Sequence, residues 1–387
     1  MECSPYPSDV AGAVLLSNRV CLAGYGRVGS QTANYLREKK FDVVIYDSSS
    51  EKVEIARRSG FESYLASLDS PSVARRLSRE CDAMVTALPS DAAERVLNAM
   101  LEASVPIIVD VSYIKDPLMF AEKASRRGVK LFVDAGIAPG LSNMLVASIV
   151  NSVEHVEKIH VYVGGLSEDI NAPLGLVASW NIGDLIEEYM RKARVRINGR
   201  ETVLDPIKDS RLVTLEGVGD FEALPTDGLR TLLSSFRNLK TLIEYTLRYP
   251  GHVNYLKIFD MIGLLSEHRY VIDGCAVTPS KVLVRLLEEI LPKENDRVIL
   301  VVKGWGKERG EEVEVGYYLD ISQKKLGLKT TVLSYLTGLV HGWVTTQALL
   351  GGGRVGINPP ESLVAKLDNL LAELSSRNII IKKKRNK

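Results

Sequence analysis

Cysteine and histidine are scarce in this chain, and their scarcity removes several kinds of protein at once. Four cysteines, at positions 3, 21, 81 and 275, include no CxxC pair, and the five histidines, at 155, 160, 252, 268 and 341, include no HxxxH or HExxH spacing. The expectation is therefore no disulfide framework, no structural zinc site, no metal in catalysis, and a reducing, cytoplasmic setting. No GxSxG elbow or similar nucleophile signature is present. Charge of one sign is lacking too: 49 basic and 48 acidic residues leave a formal charge of +1, which gives no global field for nucleic acid or an acidic membrane. No apolar run approaches the roughly 20 residues that span a bilayer. The opening 18 residues hold the apolar stretch Val10–Leu16, but Glu2 and Asp9 stand where a signal peptide needs basic residues, so residues 1–18 read as an N-terminal extension. The basic end, residues 377–387, reads as a solvated tail. A small molecule becomes the expected partner, with no nucleic acid and no membrane.

What the chain does have begins at Arg19. Val20-Cys21-Leu22-Ala23 is a short apolar strand running into Gly24-Tyr25-Gly26-Arg27-Val28-Gly29, then a helix, then the strand Val43-Val44-Ile45-Tyr46 closed by Asp47 and Ser48. That order is the one a dinucleotide-binding βαβ unit requires. Gly24 permits the tight turn, Gly26 lets backbone approach a pyrophosphate, and Gly29 lets the helix lie close to the strand. The helix would aim its free N–H groups and positive dipole end at the phosphates. A carboxylate at Asp47 suits both ribose hydroxyls and repels a 2′-phosphate, so NAD is expected over NADP.

Helix and strand continue to alternate up to about residue 140, which predicts an α/β fold with a parallel, doubly wound sheet. Ligands of such sheets lie at the carboxyl ends of the strands, so Leu88-Pro89, the segment Asp110-Val111-Ser112-Tyr113 and the turn around Pro139-Gly140 are candidate site loops. Asp110 and Asp134 are also readable as caps of helices or turns. Residues 141–330 change character to strands with irregularly placed helices, an α+β domain with an open mixed sheet and a plausible dimer surface. Residues 331–376 return to helical pattern and are expected to pack back on residues 19–140.

Two clusters in the second region carry polar chemistry. Pro225-Thr226-Asp227-Gly228-Leu229-Arg230-Thr231 places an acid and a guanidinium close together, suited to an ammonium and a carboxylate. Asp227 as an N-cap and Arg230 as a surface residue fit it equally. Thr246-Leu247-Arg248-Tyr249-Pro250-Gly251-His252 adds a second arginine and an imidazole that titrates near neutrality in solution or serves only as a hydrogen-bonding residue at a helix start.

The segments LAGYGRVG, TALPSD, VDVSYIKDPL, VDAGIAPGLSNML, VYVGGL, DLIEEY, DGLRTLL and TLRYPGH, in that order, resemble the saccharopine dehydrogenase-like superfamily and within it the L-lysine 6-dehydrogenase branch. The resemblance runs from Arg19 to about Ser376. It implies a Rossmann domain built from the N-terminal part plus a returning C-terminal segment, an inserted α+β domain, homo-oligomers, and NAD(P)-linked oxidation at an amine carbon. In the lysine branch that reaction removes the ε-amino group as ammonia and leaves a semialdehyde that cyclises.

Carried onto this chain, the resemblance assigns Gly24, Gly26, Gly29, Asp47, Leu88, Pro89 and Val111 to the cofactor, and Pro139, Gly140, Asp227, Arg230, Arg248 and His252 to the substrate pocket. The neighbouring Tyr25, Arg27, Val28 and Ser48 are read as cofactor-binding and Ser112 and Tyr113 as substrate-binding, with Arg230 and Arg248 as carboxylate anchors and Asp110, Asp227 and His252 as candidates for proton transfer. Where bacterial lysine 6-dehydrogenases resemble His-Thr-Ser-Gly-Gly-Thr-Ser, this chain has residues 225–231. Two alternatives stay open: a saccharopine dehydrogenase-type reaction at a secondary amine, and a non-catalytic NAD-binding regulator.

Overall fold

The computed structural model describes residues 18–386, so the expected N-terminal extension lies outside the described residues but for Asn18. Strands β1 (Arg19–Ala23), β2 (Asp42–Asp47), β3 (Glu62–Leu65), β4 (Ala83–Thr86), β5 (Ile107–Asp110) and β6 (Lys130–Phe132) form one parallel sheet in the order β3-β2-β1-β4-β5-β6. This is the doubly wound order of a dinucleotide-binding sheet, reversing direction beside β1. The strands are short and, apart from the mostly exposed edge strand β3, almost wholly buried, with Val20, Cys21 and Leu22 fully enclosed. Such continuous apolar runs are what a sheet covered on both faces requires.

A seventh strand, Gly356–Asn358, pairs in parallel with β6 and comes from the far end of the chain. The helix that precedes it, Val332–Leu349, packs on the helix Arg27–Glu38 that follows the glycine turn. Two glycines set that distance: a Cβ on Gly338 would lie 2.9 Å from Val28 O, and one on Gly342 would overlap the Tyr35 ring. The C-terminal segment thus returns to the nucleotide-binding sheet.

Between the two parts of the first domain stands a nine-stranded mixed sheet. Strand Thr241–Arg248 runs parallel to His155–Ser167, and the other strand pairs of this sheet among the described residues are antiparallel, including Asp296–Glu308 with Glu311–Ser322. Strands Ala193–Ile197 and Arg211–Leu215 belong to it, whereas Tyr270–Ile272 and Cys275–Val277 form a separate two-stranded hairpin.

Two expectations are corrected. The basic end is not a loose tail: Lys382–Asn386 pairs antiparallel with Glu311–Ser322 as the edge of the large sheet. Lys383 and Lys384 lie over the rings of Tyr317 and Tyr318, and Arg385 pairs with Glu308. Aromatic faces and a carboxylate therefore hold a stretch whose composition reads as solvated. Second, Cys21 and Cys81 are joined as a disulfide, their Cα atoms 5.8 Å apart. The two residues are far apart in sequence, and the pairing of β1 with β4 brings their segments together. No local cysteine spacing encodes such a pair.

Candidate functional site

The glycine turn is built by exclusion. Gly24 has φ +93°, and a Cβ there would overlap the carbonyl oxygen of Ala87; a Cβ on Gly29 would overlap Gly24 O. Both glycines are required by the close passage of turn, helix and neighbouring loop. Gly26 differs, because a Cβ there would meet no protein atom within 4 Å. Its open side faces the cleft, which leaves approach of a ligand as the constraint. Gly26 also stands at the N-terminus of helix Arg27–Glu38, which no side chain caps, so the first-turn N–H groups are available to an anion.

Asp47 ends β2 on the same wall. Its Oδ2 accepts from Tyr25 N at 2.8 Å and its Oδ1 from Ser49 N at 2.9 Å. The carboxylate thus fixes the glycine turn while retaining lone pairs for ribose hydroxyls. Free N–H groups, an open Gly26 and a carboxylate at the end of β2 fit NAD.

The cleft that begins here has a volume of about 1070 Å³ and continues to the large sheet. Its nucleotide half includes Gly24, Gly26, Arg27 and Val28, with Asp47 and Ser48 beside them. Leu88, Pro89 and Val111 form the middle, and Ser112, Tyr113 and Pro139 follow. Leu88 N donates to Ser112 Oγ at 3.2 Å, tying two of those loops together. Tyr25 and Gly29 stand behind the turn; the Tyr25 ring packs edge-on against Phe61.

The far half is organised by one strand face. Along Thr241–Arg248 the alternation of a β-strand sends Glu244, Thr246 and Arg248 to one side, and all three line the cleft. Glu188, from helix Ile182–Met190, faces them. Arg248 Nη2 donates to Glu188 Oε2 at 3.3 Å, and Thr246 Oγ1 donates to Glu188 Oε1 at 2.6 Å. Arg248 Nε donates to Tyr189 Oη at 2.6 Å and Nη1 to Leu247 O at 2.8 Å. One N–H on each terminal nitrogen is left for a ligand.

Several residues expected at the site stand behind its wall. His252 Nδ1 is 3.0 Å from Leu174 O and Nε2 is 3.1 Å from Tyr189 Oη. The carbonyl can only accept, so Nδ1 carries the proton and Nε2 accepts from the tyrosine hydroxyl. Burial, with the Arg248 guanidinium close by, pushes the imidazole down to about 3, so it stays neutral instead of titrating near neutrality. Its role in this arrangement is to hold Tyr189, which in turn holds Arg248.

Asp227 is gripped by Arg194, whose Nε and Nη2 donate at 2.9 and 3.0 Å. Arg230 is fully buried: Nε donates to Asp134 at 2.9 Å and Nη1 to Ile114 O at 2.6 Å, and its guanidinium lies 5.0 Å from the centre of the Tyr113 ring. Asp110 lies beneath the floor, its Oδ1 accepting from Thr86 Oγ1 at 2.5 Å, and burial pushes it up to about 6. Gly140 supports the turn from behind, where a Cβ would overlap Gly136 O. Asp227, Arg230 and Asp110 face inward because each is matched to a partner distant in sequence.

The carboxyls missed by sequence reasoning are Glu188 and Glu244. Glu244 is almost fully buried, and its Oε2 has no hydrogen-bond partner among the described residues. Loss of solvent pushes it up to about 8, and the Glu188 carboxylate adds to the effect. The readable signal is the alternation Glu-x-Thr-x-Arg inside the otherwise apolar strand TLIEYTLR. Charged residues there are rarely buried without a task.

A doubly wound nucleotide sheet joined by one cleft to a mixed-sheet domain with buried acids defines a two-domain nucleotide-binding protein. More specifically, the chain belongs to the saccharopine dehydrogenase family: the model of the saccharopine dehydrogenase C-terminal domain matches residues 136–380. The TrkA-N domain model matches residues 20–133. The chain is 28% identical over 247 residues to the alpha-aminoadipic semialdehyde synthase of Arabidopsis thaliana, a match covering 59% of this chain but only 23% of that relative's length. Its fold is similar to that of saccharopine dehydrogenase (L-Glu forming) from Saccharomyces cerevisiae, with a TM-score of 0.77 at 18% identity, covering 95% of this chain and 100% of that one. Among the described residues no helix is long and apolar enough to cross a membrane.

Proposed function

We propose that this protein is an NAD-dependent oxidoreductase acting at the amine-bearing carbon of an amino acid. The observation that carries the reading is that the nucleotide cradle at Gly26 and Asp47 and the Glu188–Glu244–Arg248 wall line the same cleft. Family membership and the relatives' names support a C–N bond as the target. A bound nicotinamide would supply the hydride acceptor. The chain's own task is to bind and orient the amino acid and to manage its protons. Arg248, held by Tyr189 and Glu188, offers its free N–H groups to a substrate carboxylate. Leu88, Pro89 and Val111 provide the apolar middle that shields the reacting carbon from water.

The substrate we favour is a diamino acid, with the ε-amino group of L-lysine oxidised and released as ammonia. Two carboxyls against a single inner arginine suit an additional ammonium and oppose a substrate crowded with carboxylates. A saccharopine-type reaction at a secondary amine is the second reading, supported by the family model and the Arabidopsis relative. The test is NADH formation from NAD+ with L-lysine and with saccharopine, followed by product analysis. Ammonia from lysine selects the first reading, and glutamate or 2-oxoglutarate from saccharopine selects the second.

A further inference from the structure

The cleft wall holds several carboxyls, and their hydrogen bonds sort them. Asp47 accepts from Tyr25 N and Ser49 N, Asp184 accepts from Ser90 Oγ at 2.8 Å, and Glu188 accepts from Thr246 and Arg248. Glu288 and Glu289 pair with Arg285. Glu244 is the deeply buried carboxyl of this wall whose Oε2 has no partner among the described residues. A buried oxygen without a donor costs free energy unless a ligand or water completes it. The surrounding chain makes room for it, since a Cβ on Gly228 would overlap Glu244 Oε1. The neighbouring Arg230, the cation acting on Glu244, gives Nε to Asp134 and Nη1 to Ile114 O and makes no hydrogen bond to Glu244, although its buried Nη2 also lacks a partner among the described residues.

We propose that Glu244 is the proton acceptor for the substrate's ammonium group. The proposal rests on the amine-oxidation reading above and adds the group that performs the proton step. In that step a substrate N–H bond breaks, its electron pair stays on nitrogen, and an O–H bond forms on Glu244. The freed pair then forms the C=N bond as the adjacent C–H pair leaves as hydride to the nicotinamide of NAD+. The charged and titratable groups facing Glu244 are Glu188 from helix Ile182–Met190, Asp227 and Arg230 from the segment before helix Thr231–Ser235, Asp134 after β6, and Tyr113 after β5. Burial first, and then the surplus of carboxylates over the arginine, favours a proton on Glu244 until an ammonium arrives.

Two measurements test this. In the first, L-lysine, or saccharopine if that is the amine that reduces NAD+, is titrated calorimetrically into NADH-saturated protein at neutral pH in buffers of differing ionisation enthalpy. The wild type should release close to one proton, about what displacing the Glu244 proton by a cation requires, and Glu244→Gln should release none. In the second, Glu244→Gln should lower kcat/KM by about 10²- to 10⁴-fold, the usual worth of a positioned base, and erase the limb that rises toward alkaline pH, with Glu244→Asp recovering part of it. Unchanged proton release or an unchanged pH limb in Glu244→Gln overturns the proposal while leaving the oxidoreductase reading intact. A wild type that reduces no NAD+ with any amine overturns that reading itself. NADH binding by fluorescence, unaltered in the variants, separates both outcomes from misfolding.

Discussion

Gly228 and Glu244 occupy the same space up to one methyl group: a Cβ on Gly228 would overlap Glu244 Oε1. The loop after strand Gly219–Pro225 therefore determines where the buried carboxyl points, and both elements are held together by Thr226 N donating to Glu244 O at 3.1 Å. Gly228→Ala is expected to cost about 1–3 kcal/mol of stability, as overpacked buried sites do, and to depress turnover far more than NADH binding. Denaturant unfolding and NADH fluorescence measure the two effects separately.

The raised pKa of Glu244 makes a stability prediction with a definite sign. Its ordinary value of 4.5 is pushed up to about 8, so the folded protein holds this proton over a range where the unfolded chain has lost it. The contribution of this group is complete below about pH 4.5 and is lost as pH rises to about 8. Glu244→Gln carries no such proton. Its melting temperature relative to the wild type should climb through that window and level off above it. A difference that does not vary with pH contradicts the assignment.

Asp47 holds Tyr25 N at 2.8 Å and faces the cleft. Asp47→Ser should weaken NADH binding by roughly 10-fold, about the loss of one charge-assisted hydrogen bond, and narrow the preference over NADPH, with Lys52 on the same wall free to meet a 2′-phosphate. Parallel fluorescence titrations with the two nucleotides give the ratio.

The chain Leu174 O, His252, Tyr189, Arg248 predicts that the imidazole acts on substrate binding and not on proton transfer. His252→Ala should raise KM for the amino acid by about 10-fold, on the order of one lost hydrogen bond. The shape of the pH profile should stay the same. Loss of a pH limb in this variant contradicts the neutral, positioning role.

Arg230 and Asp134 form a pair with almost no exposure. Arg230→Ala leaves a buried carboxylate uncompensated and should cost about 3–5 kcal/mol, read by denaturant unfolding.

The nucleotide half was legible because its logic is local. Strand, glycine turn, helix and terminal acid occupy Arg19 to Asp47 as one continuous pattern, with Ala87 and Leu88 crowding the turn from outside it. The substrate half was only partly so. Arg248 was found on the wall, yet Asp227, Arg230 and His252 were drawn to Arg194, Asp134 and Tyr189, partners set by how distant elements pack. Glu244 and Glu188 escaped notice because an isolated glutamate reads as solvated; the alternation of Glu244, Thr246 and Arg248 along one strand was the clue. The Cys21–Cys81 bond and the strand Lys382–Asn386 likewise depend on pairings that no local spacing records.

The most direct test of the account is the ultraviolet absorbance of NADH when purified protein is mixed with NAD+ and L-lysine or saccharopine at alkaline pH. The account predicts NADH formation with one of these amines, with release of ammonia from lysine or of glutamate or 2-oxoglutarate from saccharopine. Tight NADH binding with no reduction of NAD+ by either amine would contradict it and leave the cleft as a nucleotide-sensing site.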